Sequence, residues 1–178
     1  MELTEKTLSS RTEFEGKIVK LTVDTVELPN GETAIREVVG HPGGVCVLAL
    51  REAGTVPLVR QFRYPLGETL LELPAGKLEY GEEPRPAAIR ELGEEVGLTP
   101  GELIDLGAIY VSPGFCKEKL HMYLARNLTE VPVHPDEDEF LEIEYLPFAE
   151  LVERVMSGEI EDGKTVAATL KTKALLGL

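Results

Sequence analysis

The side chains best placed to do chemistry are three glutamates in the segment Arg90–Leu98, which reads Arg-Glu-Leu-Gly-Glu-Glu-Val-Gly-Leu. If the segment is helical, Glu91, Glu94 and Glu95 fall at about 0°, −60° and 40° on the helical wheel, away from the apolar side chains. Like charges at this spacing repel each other on an isolated helix, and a hard divalent cation such as Mg²⁺ would offset that repulsion. The spacing therefore indicates either a metal site or a solvated acidic helix face, which is the ordinary alternative in so acidic a chain.

The residues before this segment extend the pattern. Gly76 is followed six residues later by Glu82, and seven further residues lead to Arg90. All nine constrained positions of the resulting motif are matched, which happens by chance about once in a hundred thousand chains of this size or more rarely. The motif resembles the Nudix box, and the match favours the metal site over the solvated face.

The resemblance implies a loop–helix–loop set on a mixed sheet, and hydrolysis of a nucleoside diphosphate linked to another group. It also implies Mg²⁺ as the cofactor, with Mn²⁺ as a substitute. Carried onto this sequence, the metal ligands would be the backbone carbonyl of Ala75 and the carboxylates of Glu82, Glu91, Glu94 and Glu95. Arg90 would orient one of the glutamates through a charge-assisted hydrogen bond.

Residues outside the box resemble the ADP-ribose pyrophosphatase subgroup. Pro113 and Gly114 lie in a Ser-Pro-Gly-Phe segment, with Pro113 sixteen residues after Gly97, as in that subgroup. Arg60 and Arg63 lie among aromatic residues in a segment similar to the strand that precedes the box in the subgroup, and they would bring positive charge to an anionic substrate. All four would bind substrate; the ordinary alternatives are surface arginines on a strand and a plain turn.

An acidic run, residues 136–139, precedes a further strand. Similar enzymes carry a catalytic glutamate on a loop at this point, and both Glu139 and Glu137 align with it, Glu139 slightly better. Some relatives use a glutamate of the box instead, which makes Glu94 a third candidate for the general base. A solvated acidic loop is the alternative without a function.

The function that this resemblance implies is hydrolysis of ADP-ribose to AMP and ribose 5-phosphate. Two alternatives stay open at this point. One is the same chemistry on another sugar nucleotide, such as GDP-mannose. The other is a catalytically silent Nudix module that binds ADP-ribose, although a pure binder has no need of four carboxylates facing a diphosphate.

The order of elements predicts an α+β fold in which helices sandwich a mixed sheet. A helix is expected over residues 84–96, since a proline lies near its start and Gly97 follows its end. Runs typical of strands precede and follow it, and helices are expected over 148–156 and 164–176. Residues 1–40 are expected to form a separate appendage with a hairpin turned at Asn30-Gly31, and residues 41–178 are expected to form the Nudix domain. In similar enzymes such an appendage joins two subunits, so we expect a homodimer.

Composition limits the partners. The chain has 178 residues and a formal net charge of −14, which disfavours binding of nucleic acid through phosphate contacts. It has neither a long apolar stretch for a membrane span nor the pattern of a signal peptide, so a cytoplasmic protein is expected. Cys46 and Cys116 lack the spacing of a zinc site or a disulfide framework and are expected to be free thiols.

Overall fold

The computed structural model describes residues 2–79, 81–134 and 139–178. Within them seven strands precede one helix, and three further strands precede two final helices. The strands are β1 (Lys6–Glu15), β2 (Lys20–Glu27), β3 (Thr33–Gly40), β4 (Gly44–Ala49), β5 (Thr55–Arg63), β6 (Glu68–Glu72), β7 (Ala75–Lys77), β8 (Leu98–Tyr110), β9 (Lys119–Glu130) and β10 (Leu141–Pro147). The helices are α1 (Pro84–Val96), α2 (Phe148–Ser157) and α3 (Gly163–Leu176).

One compact unit combines the chain up to Gly43 with residues Tyr110–Lys119. Its sheet has the order β1-β2-β3 and is antiparallel throughout. The predicted hairpin joins β2 to β3, and Gly31 at its turn has a φ of +84°, which glycine adopts without strain. Strand β1 was not predicted, because all its residues are exposed and two register shifts interrupt its pairing, so it shows no apolar alternation.

The second unit, Gly44–Ile109 with Leu120–Leu178, contains the hydrophobic core. Its four-stranded sheet has the order β7-β4-β9-β8, with β4 parallel to β9 and antiparallel to β7. Alternate residues of β4 enter different core clusters. Cys46 and Leu48 join the cluster that contains α2 and α3, while Val45 and Val47 join the cluster that contains α1. The expected mixed sheet between helices is therefore confirmed.

A second sheet of this unit has the order β10-β5-β6 and is antiparallel. It brings the arginines of β5 beside the acidic residues of β6 and β10. Among the helices of the described residues, none is long and apolar enough to cross a membrane.

Helix α1 has the bounds that the sequence predicts. Pro84 occupies its first turn, where the missing N–H costs no hydrogen bond. Gly97 ends it in the left-handed conformation with a φ of +66°, and its N–H donates to the carbonyl of Gly93 over 3.1 Å. Because these two residues set both ends of α1, they place Glu91, Glu94 and Glu95 within the helix.

Candidate active site

Two of the three helix glutamates are buried. Glu95 is only 2% exposed and Glu91 is 8% exposed, although the helical wheel placed them away from the apolar face. The reason is β7, a strand of three residues that the sequence did not reveal and that packs against α1. A Cβ atom at Gly76 in β7 would overlap the carboxylate of Glu91, so the glycine gives that carboxylate its space.

A hydrogen bond joins the strand and the helix of the box. The backbone N–H of Ala75 donates to Oε2 of Glu95 over 2.9 Å. Ala75 pairs with Cys46 of β4, and the carbonyl of the preceding Pro74 accepts from the N–H of Val47 over 2.9 Å. The backbone at Ala75, whose carbonyl was predicted to bind metal, is thus held from both α1 and β4.

Arg90 connects the remaining carboxylates of the box. Its Nε and Nη2 donate to the two carboxylate oxygens of Glu82, each over 3.0 Å. Its Nη1 donates to Glu94 over 2.8 Å and lies 2.9 Å from Oε1 of Glu91. The guanidinium therefore offsets the charge of three glutamates and holds them apart from one another.

Burial has a strong effect on the acidity of the helix glutamates. It raises the pKa of Glu91 to about 7, against the opposing effect of the Arg90 charge. It raises the pKa of Glu95 to about 8, against the opposing effect of the Ala75 hydrogen bond. The nearby charge of Glu139 contributes to both increases. Both carboxyls therefore exchange protons near neutral pH, where a cation would compete for the same oxygens.

The donors in this region fit a hard divalent cation, which prefers carboxylate and carbonyl oxygens. Among the residues that the structure describes, no three His, Cys, Asp or Glu side chains lie close enough together to hold a metal ion. Arg90 accounts for that spacing, because it binds Glu82 and Glu94 at different nitrogens. The predicted Mg²⁺ ligands stay a prediction: Ala75 through its carbonyl, and Glu82, Glu91, Glu94 and Glu95 through their carboxylates.

A cavity of about 610 Å³ opens beside Glu95, one of the two buried glutamates of α1. Its charged lining consists of Arg60, Glu95, Glu139 and Glu142, and its remaining walls are mainly apolar. The lining also includes Phe62, Thr69, Val133, Phe140, Leu141 and Ile143. The structure thus brings together three of the sequence-predicted residues, Arg60, Glu95 and Glu139, around one space large enough for a nucleotide-sized ligand.

Both predicted arginines are paired with carboxylates. Nε of Arg60 donates to Glu144 over 2.7 Å. Arg63 forms a bidentate pair with Glu72, from Nε and from Nη2, each over 2.7 Å. The hydrogen bond with Glu72 raises the pKa of Arg63 above its ordinary value, and the charge of Glu95 lies near enough to contribute.

Sequence reasoning missed Glu72 and its second partner. Glu72 is 1% exposed, and Lys164 at the start of α3 also donates to it. Burial alone would raise the pKa of Glu72, but the hydrogen bonds and charges of Arg63 and Lys164 outweigh it and lower that pKa. The only signal in the sequence was a charged residue inside an apolar strand, and nothing linked it to a lysine 92 residues away.

Pro113 and Gly114 belong to the first compact unit, in a loop where the carbonyl of Ser112 accepts hydrogen bonds from the N–H groups of Phe115 and Cys116. Their binding role stays a prediction. Glu137 lies outside the described residues, so of the two loop candidates for the base only Glu139 can be placed.

Comparison with known protein families identifies the class of protein to which this chain belongs. The NUDIX domain matches residues 40–169, and the nucleoside diphosphate sugar hydrolase N-terminal domain matches residues 5–39. The first match covers well over half of the chain. This protein belongs to the Nudix hydrolase family, and the resemblance seen in the sequence is confirmed.

Several similar proteins match nearly the whole chain. ADP-ribose pyrophosphatase from Bacillus subtilis (strain 168) is 46% identical over 93% of this chain and 91% of its own length. A methanol dehydrogenase activator from Bacillus methanolicus is 44% identical, over 92% and 90%. ADP-ribose pyrophosphatase from Mycobacterium tuberculosis is 39% identical, over 96% and 84%.

A solved structure described as an ADP compounds hydrolase matches the fold. The TM-score is 0.86, and the match covers 99% of this chain and 97% of that one. The sequence identity is 21%, so this likeness concerns the fold alone.

Proposed function

We propose that this protein hydrolyses the diphosphate of ADP-ribose to AMP and ribose 5-phosphate with Mg²⁺. The observation that carries the proposal is the position of Glu95, which is buried in the box and yet lines a cavity shared with Arg60 and Glu139. Two of the similar proteins are ADP-ribose pyrophosphatases, and their similarity extends over both matched domains. This supports ADP-ribose over other nucleoside diphosphate sugars.

Bound Mg²⁺ would offset the charge of the diphosphate and lower the pKa of the attacking water. Glu91 and Glu95 would have to give up their protons to serve as ligands, and because burial raises their pKa values to about 7 and about 8, the cation would have to displace those protons near neutral pH. Arg90 would keep Glu82 and Glu94 oriented until they bind the cation, since it contacts both.

Glu139 is our choice for the general base that takes a proton from the attacking water. It lines the cavity together with Glu95, and its charge acts on both Glu91 and Glu95, so it lies close to two of the proposed metal ligands. Glu137 and Glu94 are the other candidates. Substitution of each by glutamine would discriminate among them.

Arg60 and Arg63 would bind the phosphates of the substrate. Each forms an ion pair on one edge of its guanidinium, and an arginine has further N–H donors on its other edges. Such pairs hold the side chain in one orientation before substrate arrives, which reduces the entropy lost on binding. Pro113 and Gly114 would complete the substrate site.

We also propose that the protein is a homodimer joined in part by its N-terminal sheet. Strand β1 is exposed along its whole length, and Leu8, Phe14 and Ile35 of the sheet are exposed apolar side chains. A second copy of the chain would cover such a surface. The appendage would then comprise residues 1–40 and the catalytic domain residues 41–178.

The experiment that tests the proposed function incubates the protein with ADP-ribose, GDP-mannose, ADP-glucose and UDP-glucose in the presence of Mg²⁺. Chromatography separates the products. We expect AMP and ribose 5-phosphate from ADP-ribose at the highest kcat/KM. Preference for GDP-mannose would assign the same chemistry to another substrate. Binding of ADP-ribose without hydrolysis would identify a silent module.

A further inference from the structure

Lys164 is a buried amine at the start of α3, in a chain whose lysines are mostly exposed. Its side chain is 13% exposed. The amine donates to Glu72 and, over 2.9 Å, to Asp162. Lysine rarely occupies such a position unless its charge has partners, and here the partner on β6 is a residue that also holds Arg63.

Glu72 lies between two cations. Arg63 donates to both of its carboxylate oxygens over 2.7 Å, and Lys164 donates to the oxygen that Nη2 of Arg63 also contacts. A bidentate pair fixes the plane of the guanidinium relative to the plane of the carboxylate. Any rotation of the Glu72 carboxylate would therefore turn Arg63, and Lys164 opposes that rotation.

The first turn of α3, which carries Lys164, is hydrogen-bonded to Leu73, the residue that follows Glu72 at the end of β6. Asp162 caps α3 by accepting from the N–H of Thr165 over 3.0 Å, and it accepts from the Thr165 hydroxyl over 2.6 Å. The Thr165 hydroxyl oxygen in turn accepts from the N–H of Leu73 over 2.9 Å, and Thr165 is fully buried. The first turn of α3 thus has a fixed position relative to Glu72.

Stability alone does not account for this group. Burying an ion network costs desolvation free energy, and well-packed apolar residues often serve a fold as well or better. What the charges provide is a defined orientation for Arg63. Glu72 uses two of the five N–H groups of that guanidinium, and the other three point away from Glu72. Arg63 also lies close enough to Glu95 to interact with its charge.

We propose that Lys164 is a positioning residue for diphosphate hydrolysis: it holds Glu72, and Glu72 holds the Arg63 guanidinium in the orientation that binds the substrate phosphates. This inference rests on the proposed function, in which Arg63 contacts the diphosphate. Lys164 itself touches neither substrate nor metal in this scheme, and its effect passes through two side chains.

The orientation of Arg63 can be measured without substrate. In ¹⁵N NMR spectra, the Nε–H resonance of Arg63 is identified by its absence from the Arg63→Lys variant, and its hydrogen exchange with water is recorded. We expect exchange at least tenfold faster in Lys164→Met, which keeps the length of the side chain and loses the charge. Lys173→Met, on the same helix, is the matched control and should leave the exchange unchanged.

Kinetics then test whether the orientation matters for hydrolysis. Lys164→Met should lower kcat/KM for ADP-ribose about tenfold to a hundredfold, the usual loss when an outer partner of a functional group is removed. In the Arg63→Lys background the same substitution should change kcat/KM less than twofold, because Lys164 is proposed to act on the substrate only through the Arg63 guanidinium, which that background lacks. If circular dichroism shows that Lys164→Met is unfolded, Lys164→Gln replaces it in both measurements.

The outcomes separate the inference from the function on which it rests. Unchanged Arg63 exchange in folded Lys164→Met, or an equal kinetic loss in both backgrounds, overturns the positioning role and leaves the hydrolase intact. A wild-type protein that hydrolyses no nucleoside diphosphate sugar overturns the proposed function, and with it the catalytic purpose of Lys164. In that case the NMR result still shows whether Lys164 orients Arg63.

Discussion

The backbone N–H of Ala75 donates a hydrogen bond of 2.9 Å to the carboxylate of Glu95, and this bond joins the strand and the helix of the Nudix box. The bond holds a carboxylate that is 2% exposed, and it places a main-chain carbonyl and a glutamate from different elements in the same region. Both groups are in the proposed metal set. The consequences for neighbouring residues can be tested one at a time.

Gly76 should tolerate no side chain without loss of function. In Gly76→Ala the new methyl group would overlap the Glu91 carboxylate, which is the flexible end of its side chain and can rotate away. We therefore expect a change of about 1 kcal/mol or less in the free energy of unfolding. Mg²⁺ affinity and kcat/KM should each fall at least tenfold. Calorimetric titration of Mg²⁺ and steady-state kinetics measure the two effects.

Gly93→Ala is the matched control for that substitution. Gly93 lies in α1 within the box, and among the residues that the structure describes a Cβ there would meet Val131 at 3.8 Å and the Leu98 carbonyl at 3.9 Å, both ordinary contact distances. Alanine should stabilise the helix by up to about 1 kcal/mol and leave activity near that of the wild type. Equal losses of activity in both variants would contradict the role assigned to Gly76.

The metal-free protein should become less stable as pH rises from about 5.5 to about 8.5. Burial raises the pKa of Glu91 to about 7 and that of Glu95 to about 8, from 4.5. The unfolded chain has released both protons in this window, while the folded chain holds them up to about pH 7 at Glu91 and about pH 8 at Glu95, so the free energy of unfolding falls as pH rises toward these values and then levels off. Urea unfolding in EDTA at several pH values measures the slope.

Mg²⁺ should reverse this trend, because it competes with protons for the same carboxylates and stabilises only the folded state. Glu95→Gln should flatten the slope in EDTA while keeping an acceptor for the Ala75 N–H. The assignment of the raised pKa would be wrong if wild type and Glu95→Gln gave the same slope.

Particular residues show which parts of the fold and site could be predicted from the sequence. The motif located Glu91, Glu94 and Glu95 on α1, because a proline and a glycine mark both ends of the helix. It could not show that Glu91 and Glu95 are buried, since β7 has only three residues and no recognisable pattern. Arg63 was predicted as a source of positive charge for phosphate. Its pairing with Glu72, and the contact of Glu72 with Lys164, join residues that are distant in the sequence, and local periodicity does not encode such contacts.

Among the loop glutamates, Glu139 should be the one whose substitution by glutamine lowers kcat most. If it takes the proton from water, Glu139→Gln should lower kcat about 10² to 10⁴-fold and leave KM little changed, as expected for an interaction made mainly in the transition state. Glu137→Gln, measured beside it, should have a small effect. Retention of at least half of the wild-type kcat by both variants, at saturating Mg²⁺ and substrate, would assign the base to a glutamate of the box such as Glu94.

The N-terminal sheet should govern association. Ile35 is 58% exposed on β3, so Ile35→Glu should cost a single chain little stability and should weaken a dimer that covers this surface. Light scattering at micromolar concentration should show a dimer for the wild type and a lower mass for the variant. Leu175→Glu, at an exposed position on α3, is the control. A monomeric wild type would contradict the proposed dimer.

The most direct test of the central claim is the hydrolysis of ADP-ribose by wild type and by Glu95→Gln, each with saturating Mg²⁺ and each with excess EDTA. The substitution keeps the size of the side chain and its acceptor for Ala75, so the fold should persist by circular dichroism. We predict AMP and ribose 5-phosphate from the wild type only with Mg²⁺, and a kcat lower by a few orders of magnitude, about 10² to 10⁴-fold, in Glu95→Gln. Full activity in EDTA, or near-normal turnover by Glu95→Gln, would contradict a metal-dependent hydrolase that works through the buried glutamates of α1.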